Sequence, residues 1–323
     1  MGKTNFDVVQ ANAFIGSQFM TQGNVWFVRP ATGSDNYDGK SPKRAFATLA
    51  EALEQCVSGQ NDVVYLMGEG NASALCTDYQ SVLLDWNKDL VHLIGVNSGT
   101  RESPRSRIAA ATTFATATPL FRVSGNGCLI QGIQVWGGVD GHNQITGAVE
   151  VTGRLNHFVR CHFAGLNGAA GENDIANAFS LKLTGAIENV FEDCVIGNAT
   201  SPIGAGATTS QILFSTLAQE NLFRRCSIIM EASSSTNHVF LRAPAGSGVI
   251  WNVFEDCDFV NTGTNLTYAS VVASNCGGLV RLRGATTLYG ATDWNSTDSG
   301  TVIAEGIGIA ANTFGFAAAV TIT

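Results

Sequence analysis

The sequence predicts an all-β fold: a single-stranded parallel β-helix with three short strands per coil, one N-terminal capping helix and an extended N-terminal arm. The pattern Asn-x-Phe-x-x-Cys-x-(Phe/Ile) occurs four times, at 156–163, 189–196, 221–228 and 252–259, and its cysteines step by 33, 32 and 31 residues. A fixed period of this length marks a solenoid, in which each repeat must stack on its neighbours to bury its apolar edge. A second short apolar run precedes each repeat, at 148–153, 179–185, 211–214 and 238–242. Each coil then holds this strand, the Asn-x-Phe strand and the Cys-x-(Phe/Ile) strand. Composition agrees: the 323 residues include 36 Gly and 6 Pro, 14% are charged, and 45% are hydrophobic, enough to fill a core.

Residues 1–24 read as the arm. Phe6, Val8, Val9, Phe14, Ile15, Phe19 and Met20 show no periodicity and need a surface to pack on, either the chain's own body, a neighbouring subunit or a partner. Val25–Val28 is a strand. The segment 33–39 is rich in turn residues, and its Asp35, Asn36 and Asp38 resemble an oxygen-rich cation loop. The spacing and terminal Glu of an EF-hand are missing, so turn chemistry is the expectation. Thr48 and Glu51 form a capping box, and Leu49, Leu53 and Cys56 share a helical face, which predicts a helix over 48–57. It sits where a solenoid needs a plug over its open first coil. Asp62–Met67 reads as a buried strand, while 90–96 and 128–135 are degenerate repeats. The run 279–284 begins another coil. The β-helix is thus expected over 25–284, and the Gly/Ala-rich 285–323 as a C-terminal cap or oligomer contact.

The repeated residues read as scaffold. Cys161, Cys194, Cys226 and Cys257 fall on one inward face as reduced, buried thiols; in-register stacking leaves their Cβ atoms farther apart than a disulfide allows. Asn156, Asn189, Asn221 and Asn252 form a second ladder, each amide donating to one neighbouring coil and accepting from the other. In the bend between Phe and Cys, Arg160, Asp193, Arg225 and Asp256 alternate in sign and predict an ion-pair ladder on the outer surface. Carboxylates flanked by arginines have lowered pKa values, which suits Glu192 and Glu255 poorly for acid catalysis. The loops between coils hold Asp140, His142, Glu172, Asp174 and Glu231, read as solvated loop residues. His157, His162 and His238 are isolated. No catalytic, metal or cofactor residue is assigned.

A net charge of −8 gives no electrostatic footprint for nucleic acid or an anionic membrane. No stretch approaches 18 consecutive apolar residues, and the polar start 1–7 has no secretory apolar run. The four N-x-[ST] sequons are therefore read as chance in an Asn/Thr-rich chain.

Trp26-Phe27-Val28, Gly33-Ser34-Asp35, Gly39 to Pro42, Ala45 to Leu49 and Ala52 together resemble the entry motif of pectate-lyase-like right-handed β-helix proteins. The motif covers about residues 25–53, and the coils at 90–284 agree with it. That superfamily includes pectate lyases, polygalacturonases and bacteriophage tailspikes. The resemblance implies the fold. The pectinase residues do not carry over, because no Asp-Asp pair, Gly-His-Gly or Arg-x-Lys stands in the corresponding places. The layout of polar start, apolar arm, entry motif, helix and uncharged end is similar to small β-helix proteins of tailed-phage virions. It implies a non-enzymatic structural protein that decorates or cements the capsid exterior. Its partners would be the major capsid protein and two further copies in a homotrimer, without cofactor. The alternative implied is a tail fibre or tailspike component that binds or cleaves host polysaccharide.

Overall fold

The computed structural model describes residues 23–69, 75–96, 101–114, 118–137, 145–166, 175–204, 206–272, 280–295 and 302–305. Within them the chain is the expected parallel β-helix. Three sheets run the length of the stack: ten strands in sheet 1, and eight each in sheets 2 and 3. Sheet 1 begins at Val25–Val28 and takes in the Asn-x-Phe strands. Sheet 2 begins at Thr77–Gln80 and takes in the Cys-x-(Phe/Ile) strands. Sheet 3 begins at Leu84–Trp86 and takes in the second apolar runs. Every strand pairing is parallel, for example Phe158 with Phe191, Phe191 with Phe223 and Phe223 with Phe254.

In-register stacking puts like residues on one another inside the core. The rings of Phe158, Phe191, Phe223 and Phe254 lie 4.5–4.6 Å apart and within 8° of parallel. The repeat cysteines are buried and free, and each thiol donates to a carbonyl of the preceding coil, as Cys226 does to Phe191 at 3.3 Å. Burial holds the Cys194 thiol far above its ordinary range.

The asparagine ladder is present with the expected wiring: each Oδ1 accepts from the preceding coil, while Nδ2 of Asn189 and of Asn221 donates to the next Asn Oδ1 at 2.9 and 2.8 Å. Each Nδ2 also donates back to a carbonyl of the preceding coil. Asn189 Oδ1 accepts the Asn156 N–H at 2.9 Å, and its Nδ2 donates to Gly153 O at 3.2 Å. Asn221 and Asn252 repeat this against Asn189 with Ala186 and against Asn221 with Ala218. The reason is the corner itself. The residue before each Asn adopts positive φ (Leu155 58°, Glu188 55°, Glu220 56°, Trp251 55°). That turn leaves a backbone N–H and a carbonyl without strand partners, and the amide satisfies both. A second left-handed corner stands at Arg160, Asp193, Arg225 and Asp256, with φ of 51–54°.

The helix α1 (Leu49–Gln55) replaces the first coil's other two strands and buries Leu49, Ala52 and Leu53. It is shorter than expected because Thr48 and Cys56 are its caps. The Thr48 hydroxyl accepts the Glu51 N–H, but the reciprocal half of the capping box is taken over: the Thr48 N–H donates to Asp35 at 3.0 Å. Downstream residues hold both ends. Asp78 accepts the Leu49 N–H at 2.9 Å, and Lys88 Nζ donates to the carbonyls of Leu53, Glu54 and Cys56 at 2.6–2.9 Å. A carboxylate at the start and an ammonium at the end complement the helix dipole. The entry motif is likewise structural. Gly39 has φ 64° and packs against the Phe46 ring, and Asp35 also accepts the Ala47 N–H. Asp38 pairs with Arg44 at 2.8 Å, so the turn reading of 33–39 stands.

Two expectations change. The run 279–284 is not a sheet-3 strand: Val280–Arg283 pairs with Asn252–Glu255 in sheet 1, and the last sheet-3 strands are Leu266–Val272 and Ala291–Asn295. Strands also continue past 284, through Thr287–Tyr289 and Ala291–Asn295 to Val302–Glu305, so the coil does not end there. Residues 306–323, with the proposed cap or oligomer contact, lie outside the described residues.

Removing one rung tests the ladder. Asn189→Ala leaves the Asn156 N–H and Gly153 carbonyl buried without this partner, and is expected to lower stability by about 2–5 kcal/mol in denaturant unfolding. A loss below about 1 kcal/mol refutes the ladder's role. Asp78 makes a pH prediction. Burial pushes its carboxyl up to about 6, against the pull of the Leu49 N–H. The native state therefore holds more protons than the unfolded state between pH 4 and 6. This group's contribution is full below pH 4 and is lost as pH rises through 6. Asp78→Asn removes that dependence, so the stability of wild type relative to the variant should fall by about 3 kcal/mol between pH 4 and 7. A pH-independent difference refutes it.

Candidate functional site

With the repeated residues committed to stacking, chemistry belongs to side chains that point away from the core. On sheet 2, two outward columns run lengthwise on either side of the inward Ile108, Val135, Phe163, Ile196, Ile228 and Phe259. One is mostly polar and passes through Arg107, Gln134, His162, Val195, Ser227, Asp258 and Thr287 in register. The other is apolar, with Tyr79, Ala109, Trp136 and Ala164, then Gly197, Ile229, Val260 and Tyr289. Coils rise ~4.8 Å each, so the two columns form a strip with a regular step.

The segment 101–105 lies along part of this strip. Arg101 donates to the Ser227 hydroxyl, and its guanidinium is 4.0 Å from Asp258. Nearer the segment's own coil, the Ser103 N–H donates to His162 Nδ1 at 3.0 Å, and Gln134 Nε2 donates to the Ser103 hydroxyl at 3.3 Å. His162 Nε2 is 2.9 Å from the Gly197 carbonyl, so it carries the ring proton. Burial lowers the His162 pKa, and with Nδ1 accepting and Nε2 donating the ring is a neutral structural link. Asp258 stays accessible, its carboxylate accepting the Thr287 hydroxyl at 2.6 Å. The middle of the strip, with Gln134, His162, Val195, Ser227 and Ala164, is buried, so a ligand can reach Tyr79, Arg107, Trp136, Asp258, Thr287 and Tyr289.

The predicted ion ladder forms with different partners. Arg225 bridges Asp193 at 2.8 Å and Glu192 at 2.6 Å. Arg160 acts on Asp193 through space, whereas Asp256 accepts the Ala285 N–H at 2.8 Å, because the next coil presents Gly284 with no side chain to pair. The first bend position alternates as well: Glu255 lies between Arg224 at 3.0 Å and Arg283 at 3.2 Å. Hydrogen bonds from Arg225 hold Glu192 and Asp193 below the usual carboxylate range, and one from Arg224 does the same for Glu255. These acids stay ionised, as the sequence implied.

A further charge column lies outside the repeat motif. On the outer face of sheet 3, Asp85, Arg122, Glu150 and Lys182 are in register. Burial would raise the Glu150 pKa, but Lys182 at 3.0 Å and Arg122 at 2.9 Å outweigh it and hold the carboxyl ionised. Aligning the strands by the repeat period would have revealed this column and the sheet-2 strip. The anchor residues Phe6, Val8, Val9, Phe14, Ile15, Phe19 and Met20 lie outside the described residues, as do Asp140, His142, Glu172 and Asp174. Glu231 is half-buried at the end of a sheet-2 strand. Among the described residues no group of three His, Cys, Asp or Glu is placed to hold a metal ion, and no helix is long and apolar enough to cross a membrane.

No family model and no curated protein matches the chain. Solved structures do. A rhamnogalacturonan lyase superposes with TM-score 0.54 at 16% identity, over 83% of this chain and 68% of that one. Pectate lyase Pel9A gives 0.53 at 13%, over 89% and 74%. Pectin methylesterase PemA from Erwinia chrysanthemi gives 0.51 at 16%, over 83% and 80%. At these identities the likeness is one of fold. The expectation of a non-enzymatic chain is corrected by this finding, since each of these three similar structures is an enzyme. The chain is a three-sheet parallel β-helix.

Proposed function

We propose that this chain acts on polysaccharide, holding the polymer lengthwise on the outer face of sheet 2. The observation that carries the reading is the pair of lengthwise columns. Tyr79 is 53% and Tyr289 41% exposed and Trp136 is partly exposed, while Asp258 and Thr287 are the accessible polar groups towards the Tyr289 end and Gln134, His162 and Ser227 are buried. A polymer laid lengthwise crosses one coil every ~4.8 Å. Aromatic faces take the C–H faces of sugar rings, and the accessible Arg107, Asp258 and Thr287 take their hydroxyls. The similar folds of pectin methylesterase, pectate lyase and rhamnogalacturonan lyase support the same class of ligand.

The test is affinity electrophoresis through gels carrying different polysaccharides, together with assays for new reducing ends, unsaturated products and released methanol. Retardation or product with at least one polysaccharide is expected, weakened about tenfold, or ~1.4 kcal/mol, in Trp136→Ala and Asp258→Ala. Absence of both retardation and product across the panel sinks the proposal.

The finer setting is a tail fibre or tailspike component of a tailed phage that meets host polysaccharide. Its support is the sequence layout with the apolar arm at 1–24. A virion location, a capsid or tail protein as partner and a trimeric assembly rest on the same support. Deleting residues 1–24 should abolish co-sedimentation with virion particles while the far-ultraviolet spectrum stays that of a β-helix. Undiminished co-sedimentation rules out the arm as anchor.

A further inference from the structure

We propose that a second site, at the corner between sheets 3 and 1, binds a neutral pyranose sugar. A groove of about 350 Å³ lies there, lined by Glu220, Asn221, Leu222, Trp251, Val253 and Arg283. It is built on a different wall of the prism from the sheet-2 strip, and its argument does not depend on that strip.

The floor is aliphatic. Leu222 and Val253 are register partners on the outer face of sheet 1, both half-buried. Asn221 is fully buried and belongs to the ladder, so it supplies backing rather than a free amide. The wall is Trp251, which remains 51% exposed. The Arg281 guanidinium lies over one face of its ring at 4.5 Å and steadies the indole.

Trp251 is an unusual occupant of its position. It sits at the left-handed corner before Asn252, with φ 55°. The equivalent corners carry Gly127, Leu155, Glu188 and Glu220. Only glycine adopts that backbone without strain, and a bulky side chain is disfavoured there. The exposed indole is not repaid by burial in the core either. A strained, exposed aromatic beside a concavity has the character of a ligand wall.

The charges around the groove select the ligand. Glu220 supplies a carboxylate on one rim and Arg283 a guanidinium on the other. The Arg283 charge is already met by Glu255 at 3.2 Å, so the groove offers little attraction to an anion. What remains is an apolar floor and wall with one acceptor and one donor at the edges. A pyranose ring fits that chemistry: its C–H face lies on Trp251 and the aliphatic floor, and its hydroxyls donate to Glu220 and accept from Arg283. In the preceding coil, the exposed Glu188 and half-buried Val190 repeat the pattern of Glu220 and Leu222 for a neighbouring sugar.

Tryptophan fluorescence and calorimetry test the assignment. Trp26, Trp86 and Trp294 are buried at 7%, 0% and 8% exposure, so Trp251 is well placed to dominate a surface signal. Titration of the full chain with neutral oligosaccharides (gluco-, galacto- and mannooligosaccharides) should give a saturable spectral change, and oligogalacturonates a weaker one. Trp251→Gly suits the corner backbone and should fold normally by circular dichroism and melting temperature, yet weaken calorimetric Kd at least tenfold. Glu220→Gln should weaken it several-fold. The site is overturned by the absence of saturable binding to every neutral sugar. It is equally overturned by tighter binding of the acidic series, or by a Kd unchanged in folded Trp251→Gly. Loss of the signal in Trp136→Ala but not in Trp251→Gly would place the binding on sheet 2 and also overturn it.

Discussion

The parallel hydrogen bonding of one coil to the next is the constraint on which the rest of this structure depends. It holds successive strands ~4.8 Å apart and, save for a shift between Asn198 and Ile203, in register, so what stands at one position faces its equivalent above and below. Inside the prism that rule favours groups that stack on themselves. Phenylalanine does so as near-parallel rings, and a buried thiol does so by donating to the carbonyl of the coil before it. At the corners it creates a recurring need, because each left-handed residue takes two backbone groups out of the ladder. A buried asparagine meets both with one side chain.

On the outside the same rule makes like charges neighbours, and the chain responds by alternating them. Glu255 between Arg224 and Arg283 on sheet 1, and Glu150 between Arg122 and Lys182 on sheet 3, are two solutions to one problem. The exposed pairs contribute little stability individually. Glu150 differs, since it is almost fully buried and removal of either cation would leave its charge poorly compensated.

A prism whose interior and corners are fixed by stacking has its outward columns and groove free to vary. Sheet 2 carries a mixed aromatic and polar strip, partly occupied by the segment 101–105, and the corner at Trp251 carries a small groove. Their backbone frame repeats in the direction of the stack, while their side chains change from coil to coil. The similarity to polysaccharide-modifying enzymes concerns this shared frame, while side chains decide what a given frame holds.

The Asn-x-Phe-x-x-Cys repeat by itself determined the coil, its three strands, the buried thiols, the amide ladder and the ionised bend acids. These follow from local spacing, and a stacked fold turns spacing directly into contact. The capping helix was legible from Thr48 and Leu49 for the same local reason. Only the tertiary structure decided how the pieces are joined. Asp35, Asp78 and Lys88 tie down α1 from outside it, and Asp256 turns to a backbone amide because Gly284 faces it. Val280–Arg283 belongs to sheet 1, which its own few residues do not reveal. The strip on sheet 2 and the groove beside Trp251 depend on which residues of separate coils share an outward column. That alignment is set by inter-coil register, and pattern within a single repeat does not encode it.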